Sequence, residues 1–174
     1  MWNGNKVLVL GAFGYKKNIL DGQTIKTRQV YQLIKERYKG NVVKWDTLDM
    51  RICPWQVFAL ISHLFNCRYL VVLPAHRNLA IMFPVIYYLS KVFGYQIIGI
   101  CIGGWQIEFF NGEFSGKKHY FQMNCAKQIK AFLPELERVN QELKERWGFK
   151  NTEVFPNFRK FDMINVPYEK HNNL

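Results

Sequence analysis

Apolar residues fall into short, nearly continuous runs, separated by polar stretches whose hydrophobic positions recur at helical spacing. The first run is Lys6-Val7-Leu8-Val9-Leu10-Gly11. A strand apolar at successive positions is covered on both faces, as in a parallel sheet between helices. Over residues 23–38, Ile25, Val30, Leu33 and Ile34 predict a helix with charges between them, stopped by Gly40-Asn41. Residues 42–46 read as a second strand. Pro54 opens a helix over 55–65 from its first turn. Residues 69–74 form a third strand, ending in the polar loop Ala75-His76-Arg77-Asn78. A third helix over 79–92 has almost no polar face, and Pro84 is expected to kink it or displace its start. Such a helix is either buried against the sheet or docked on a bilayer, with Lys91 and its tyrosines at the interface.

A fourth strand over 95–102 closes at Gly103-Gly104. The polar, glycine-bearing residues 111–124 read as loop, 127–132 as a fifth strand, and 134–147 as a highly charged helix ended by Gly148. Residues 152–155 form a short last strand before Pro156. This alternation of strand and helix predicts a doubly wound, mainly parallel α/β sheet with right-handed crossovers. Beyond about residue 157 the pattern fades into Pro167, Tyr168 and a polar end. The expected division is one domain over 1–156 and a linker-like tail over 157–174. No internal repeat interrupts it.

Composition narrows the class. With 174 residues, 49% hydrophobic and 16% aromatic, the chain can bury a core and is not a disordered basic tail. No apolar run reaches the roughly 18 residues of a membrane span. The opening Met-Trp-Asn-Gly-Asn-Lys leads straight into a strand-like run, which leaves no room for a signal peptide and points to the cytosol. Cys53, Cys67, Cys101 and Cys125 are widely spaced among apolar residues, as buried thiols are in a reducing compartment. No zinc site and no other metal site is expected.

The charge is +11, from 24 Lys+Arg against 13 Asp+Glu. Nucleic acid, anionic lipid and phosphorylated small molecules all suit such a surface, and so does plain solvation. Nothing beyond the charge speaks for nucleic acid.

In open α/β sheets, ligands bind beyond the C-terminal strand ends. Three loops fall there: 11–22, 75–78 and 103–105. The first carries Gly11 and Gly14 but has neither the dinucleotide spacing nor a P-loop Gly-Lys-Ser/Thr. It ends Asp21-Gly22-Gln23-Thr24-Ile25-Lys26-Thr27-Arg28. Asp21 or Thr24 can cap the following helix, leaving Gln23, Lys26 and Thr27 either to grip an anionic or hydroxyl-rich ligand or to face solvent. His76, between a buried strand and an apolar helix, is a candidate general base or phosphate ligand, or a surface histidine. His63 reads as packed; His119 and His171 carry no signal. Gly103-Gly104 allows close backbone approach to a ligand, or makes a tight turn.

Four motifs occur in a telling order: Asp21-Gly22-Gln23-Thr24-Ile25-Lys26-Thr27, Leu73-Pro74-Ala75-His76, Ile102-Gly103-Gly104-Trp105, and Gly148-Phe149-Lys150-Asn151 leading to Val154-Phe155-Pro156-Asn157-Phe158. Together they resemble the N-terminal half of bacterial family 4 (GT-B) glycosyltransferases of surface-polysaccharide assembly. The resemblance spans essentially the whole chain. It implies a Rossmann-like acceptor domain facing a second, nucleotide-sugar-binding domain across a cleft, with no metal and no cofactor beyond the nucleotide-sugar donor. By it, the donor half lies outside this chain as a C-terminal domain or separate subunit, and the chain alone is expected to be inactive.

The same resemblance places Gly11, Gly14, Gly22, Gln23, Thr24, Lys26, Thr27, Gly103 and Gly104 along the substrate cleft. Gly103-Gly104 stands where many relatives carry a histidine, so His76 and Asp21 are the remaining candidates for catalysis. The implied acceptor is a polysaccharide or lipid-linked sugar, with an anionic membrane surface as partner and a peripheral position on the inner membrane. The competing expectation is a non-enzymatic, membrane-associated scaffold that recruits a donor-binding partner.

Overall fold

Five parallel strands, in the order β2-β1-β3-β4-β5, form the only sheet among the described residues. They are β1 (Lys6–Gly11), β2 (Asn41–Asp46), β3 (Cys67–Val72), β4 (Gln96–Cys101) and β5 (Ala131–Pro134). The helices are α1 (Gly22–Arg37), α2 (Thr47–Ile52), α3 (Gln56–Leu64), α4 (His76–Phe93), α5 (Gln106–Asn111), α6 (Tyr120–Gln128) and α7 (Glu137–Glu145). This computed structural model describes residues 5–16, 19–52 and 55–158. Cys53, Pro54, His171 and nearly all of the expected tail, 159–174, lie outside the described residues. The fold is α/β, Rossmann-like and doubly wound.

Strand side chains alternate between two unequal cores. Leu8, Leu10, Leu70, Val72, Ile97 and Cys101 face the larger one, which buries α3 through Leu60 and Leu64, α4 through Leu79, Phe83 and Ile86, and α7 through Val139 and Leu143. Val7, Val9, Val71, Leu73 and Ile100 face the smaller one, closed by Val30 of α1, with Phe155 and Phe158 packed beside it.

Pro84 does not set the start of α4. The helix runs through it from His76, three residues before the expected start. Proline has no N–H to give the carbonyl of the residue four positions back, which is Ala80. That carbonyl accepts instead from Gln122 Nε2 of α6, at 3.3 Å. A cross-helix side chain thus supplies the missing donor.

The region after β4 departs most from the sequence reading. The expected loop over 111–124 overlaps two helices, α5 ending at Asn111 and α6 beginning at Tyr120. The expected strand over 127–132 starts instead at Ala131, because Met123, Cys125 and Ala126 bury one face of α6 as far as Gln128. The charged helix is shorter than 134–147, since Pro134 is still in β5, paired with Cys101. A proline is tolerated there because β5 is the edge strand. The strand expected over 152–155 is a single parallel bridge, Phe132 to Thr152, with Phe155 N–H donating to the Pro134 carbonyl. Helix α2 was not anticipated at all.

Candidate functional site

The chain leaves β1 toward β2 on one side and resumes at β3 on the other. Connections after β1 and β3 therefore run to opposite faces of the sheet, and a crevice opens between them at the C-terminal edge. The loop after β1, the Asp46 end of β2, Pro74-Ala75 after β3, Gly103-Gly104-Trp105 after β4 and Glu135 after β5 all reach this edge.

The β1–α1 loop is clamped from two directions. Asp46 Oδ1 accepts from Phe13 N–H at 3.1 Å and Leu48 N–H at 2.9 Å, and its Oδ2 accepts from Gly14 N–H at 2.9 Å. Arg28 donates from Nε to the Phe13 carbonyl at 2.7 Å and from Nη2 to the Ile19 carbonyl at 2.9 Å. Each of these bonds has one charged partner, carboxylate or guanidinium, which makes it stronger than a neutral pair. Phe13 is buried, and Tyr15 beside it carries the Arg28 guanidinium 4.5 Å and the Lys44 ammonium 4.2 Å from its ring centre. Gly14 adopts φ +63°, which a side chain would strain. In the sequence Asp46 is visible only as a strand end; its clamping role is not, because the N–H donors it fixes lie more than thirty residues away in the chain.

Three of the residues expected along the cleft, Thr24, Lys26 and Thr27, are turned inward. Thr24 Oγ1 donates to the Ile19 or Asp21 carbonyl, both at 3.0 Å, and Thr27 Oγ1 donates to the Gln23 carbonyl at 2.8 Å. Lys26 is buried. Its ammonium meets Glu135 Oε1 at 3.0 Å, the Pro156 carbonyl at 3.3 Å and Asn157 Oδ1 at 3.4 Å. Glu135 Oε2 accepts from Gly103 N–H at 2.7 Å, in a turn where Gly103 has φ +80°. One carboxylate thus links α1, the β4 turn and the chain after β5. Gly11 is required by packing: a Cβ there would lie 2.8 Å from Thr27 Cγ2 and 3.3 Å from Leu73 Cβ. Gly104 is similarly close to Leu136, while a Cβ at Gly22 would meet nothing within 4 Å. Gln23 is half-buried, and its amide makes no hydrogen bond among the described residues.

Asp21 is the N-cap of α1, accepting from Thr24 N–H at 2.7 Å. His76 is exposed in the first turn of α4, its ring stacked on Phe114 at 5.0 Å and edge-on to Trp105 at 6.1 Å. The two candidates are not hydrogen-bonded to each other. The start of α4 has no side-chain cap and no acidic residue in its first turn, so its free N–H groups, His76 and Arg77 share one positive end. The β4 turn leads into Gln106, fully buried with neither amide atom paired to another group among the described residues.

Cavities follow the same loop. One of about 500 Å³ lies between the loop and β2, lined by Phe13, Tyr15, Lys44, Trp45, Asp46 and Gln56, with the Lys16–Asp49 ion pair at its rim. Tyr15 also walls a second, of about 440 Å³, against Arg28, Gln32, Leu33 and Phe158 of the other face. A third, of about 100 Å³, lies beside Lys26, Glu135 and Gln29. A further cavity of about 260 Å³, at Tyr87, Lys91, Tyr95 and Lys130, is lined by none of the candidate residues.

Among the described residues no group of three or more His, Cys, Asp or Glu is placed to hold a metal ion. No described helix is long and apolar enough to cross a membrane. Comparison with protein-family models, curated proteins and solved structures finds no match to this chain.

Proposed function

We infer that this chain is the acceptor-side domain of a glycosyltransferase. The reaction is transfer of a sugar from a nucleotide-sugar, held by a second domain or subunit, to a polysaccharide or lipid-linked acceptor. The observation that carries the reading is the cavity between the clamped β1–α1 loop and β2. Its Tyr15 and Trp45 rings, backed by buried Phe13, offer apolar surface to a sugar ring, while Asp49, Gln56 and Lys44 offer partners for hydroxyls. Across the crevice, the uncapped start of α4 with His76 and Arg77 suits the phosphates of a nucleotide or lipid carrier. The basic surface and the resemblance in motif order support a peripheral position at an anionic inner-membrane surface.

In this reading Asp46 and Asp21 serve to position backbone, Asp46 through the Phe13 and Gly14 N–H groups and Asp21 through that of Thr24. His76 is the remaining candidate base, its ring presented at the edge by Phe114 and Trp105.

The test is reconstitution. The chain and a separately produced donor-binding domain are assayed for sugar transfer to a lipid-linked acceptor, alone and mixed. The reading expects transfer only in the mixture, reduced by Trp45→Ala and by Arg77→Glu. A second reading, a non-enzymatic scaffold, is favoured by the inward use of Lys26, Thr24 and Thr27. It is supported instead if the two proteins bind each other and no transfer follows.

A further inference from the structure

We propose that the helical layer made by α3, α4 and α6 is a docking face for an anionic lipid bilayer. This deepens the peripheral-membrane part of the reading above and rests on that part alone, not on sugar transfer.

Helix α4 is apolar on two opposite sides. Leu79, Phe83, Ile86 and Tyr87 pack into the larger core. Ile81, Val85, Tyr88 and Val92, at i, i+4, i+7 and i+11, form one stripe along the other side, and they are 69%, 58%, 54% and 75% exposed. The stripe continues onto neighbouring elements. Phe121 of α6 stacks on Tyr88 at 6.1 Å, and Phe65 at the end of α3 meets Phe93 at 4.4 Å. At the start of α3, Trp55 and Phe58 stack together and are both largely exposed. Singly exposed apolar residues are ordinary; a stripe along α4 joined by ring contacts to α6 and to the end of α3 is an interaction surface.

Charge identifies the occupant. From residue 50 to residue 107 the sequence contains no Asp or Glu. Exposed Arg77 and Lys91 lie on α4 itself, and exposed Lys117 and Lys118 stand before α6, with Glu113 the one acid in that loop. Long basic side chains can keep their charge at the headgroups while their stems cover apolar surface, and Trp and Tyr favour the same depth. A second copy presenting the same face about a two-fold axis would set these bases against one another. An apolar stripe with basic residues around it and acids removed from its helices fits anionic headgroups over acyl chains.

The experiment is flotation of the full chain with vesicles of phosphatidylcholine alone or mixed with phosphatidylglycerol, with size measured in parallel. The expected result is binding to the mixed vesicles only, weakened about tenfold or more by Ile81→Glu/Val85→Glu. Lys35→Gln/Lys39→Gln removes the same net charge from exposed positions at and after the end of α1, on the opposite face, and is expected to weaken binding much less. Circular dichroism establishes that both variants fold. The proposal is overturned if I81E/V85E binds like the parent, or if both variants lose binding equally. It is also overturned if the parent ignores anionic vesicles, including the case where it is a dimer that I81E/V85E dissociates. Sugar transfer to a soluble acceptor is read separately, so loss of vesicle binding and loss of the glycosyltransferase reading are distinguishable.

Discussion

Lys26 and Glu135, 109 residues apart, form an ion pair at 3.0 Å with both side chains nearly shielded from water. The pair ties the first turn of α1 to the chain leaving β5. Glu135 carries the contact on to Gly103 N–H, and Lys26 carries it to Pro156 and Asn157. Desolvating two charges cancels much of their attraction, so the intact pair adds little net stability, whereas removing one partner strands the other.

Lys26→Met is therefore expected to destabilise the chain by about 3–5 kcal/mol, from the uncompensated Glu135 carboxylate. Lys26→Met/Glu135→Leu is expected to be more stable than Lys26→Met alone, with a residual cost from the unpaired Gly103 N–H. A urea double-mutant cycle measures this. If the double variant is as unstable as the sum of the single ones, the pair is not a coupled unit.

Gln122 and Pro84 should couple in the same way. Gln122→Ala leaves the Ala80 carbonyl without a donor and is expected to cost about 1 kcal/mol. In a Pro84→Ala background the helix supplies its own N–H, and the cost of Gln122→Ala should shrink toward zero. Equal costs in both backgrounds would show that Gln122 acts by packing alone.

His63 packs against Trp45 at 5.3 Å, and burial, then the charge of Lys6, lowers its pKa below 6.5. The unfolded chain therefore takes up the proton first on acidification. Stability from this group is present above pH 6.5 and declines as the pH falls from there through the depressed folded value. The urea midpoint of the parent should drop between neutral pH and about one unit below 6.5 by more than that of His63→Gln. Parallel curves for the two proteins would remove His63 as the cause.

The thiols of Cys67, Cys101 and Cys125 should resist alkylation. Burial pushes the Cys67 pKa up to about 11, and raises Cys101 and Cys125 as well. Thiolate is the reacting species, so iodoacetamide at neutral pH should label these three slowly in the folded chain and rapidly in denaturant. Peptide mass spectrometry reads each site; fast labelling of any one in the folded state contradicts its burial.

Short-range pattern was enough for much of the fold. The runs 6–11 and 69–74 are mostly apolar because strands covered on both faces demand it, and with 42–46 they became β1, β3 and the edge strand β2 within a few residues. The edge at which the unusual loops gather also followed from strand and helix alternation. The pattern failed where burial came from outside the segment. Residues 111–124 read as a polar loop and 127–132 as a strand, whereas helix α6 over Tyr120–Gln128 rests on Met123, Cys125 and Ala126 meeting a core supplied by other elements.

By itself, then, the sequence determined the doubly wound α/β fold and the candidate residues at its C-terminal edge, since periodicity and turn chemistry are local properties. Only the tertiary structure decided what those residues do. Lys26 and Thr27 read as ligand groups until the structure turned them toward Glu135 and the Gln23 carbonyl. Asp46 became the loop clamp through partners more than thirty residues away. The uniformly apolar α4 acquired a buried and an exposed side only when the sheet claimed one of them. A side chain's partners depend on strand order and on which face the chain crosses, and no local spacing encodes either.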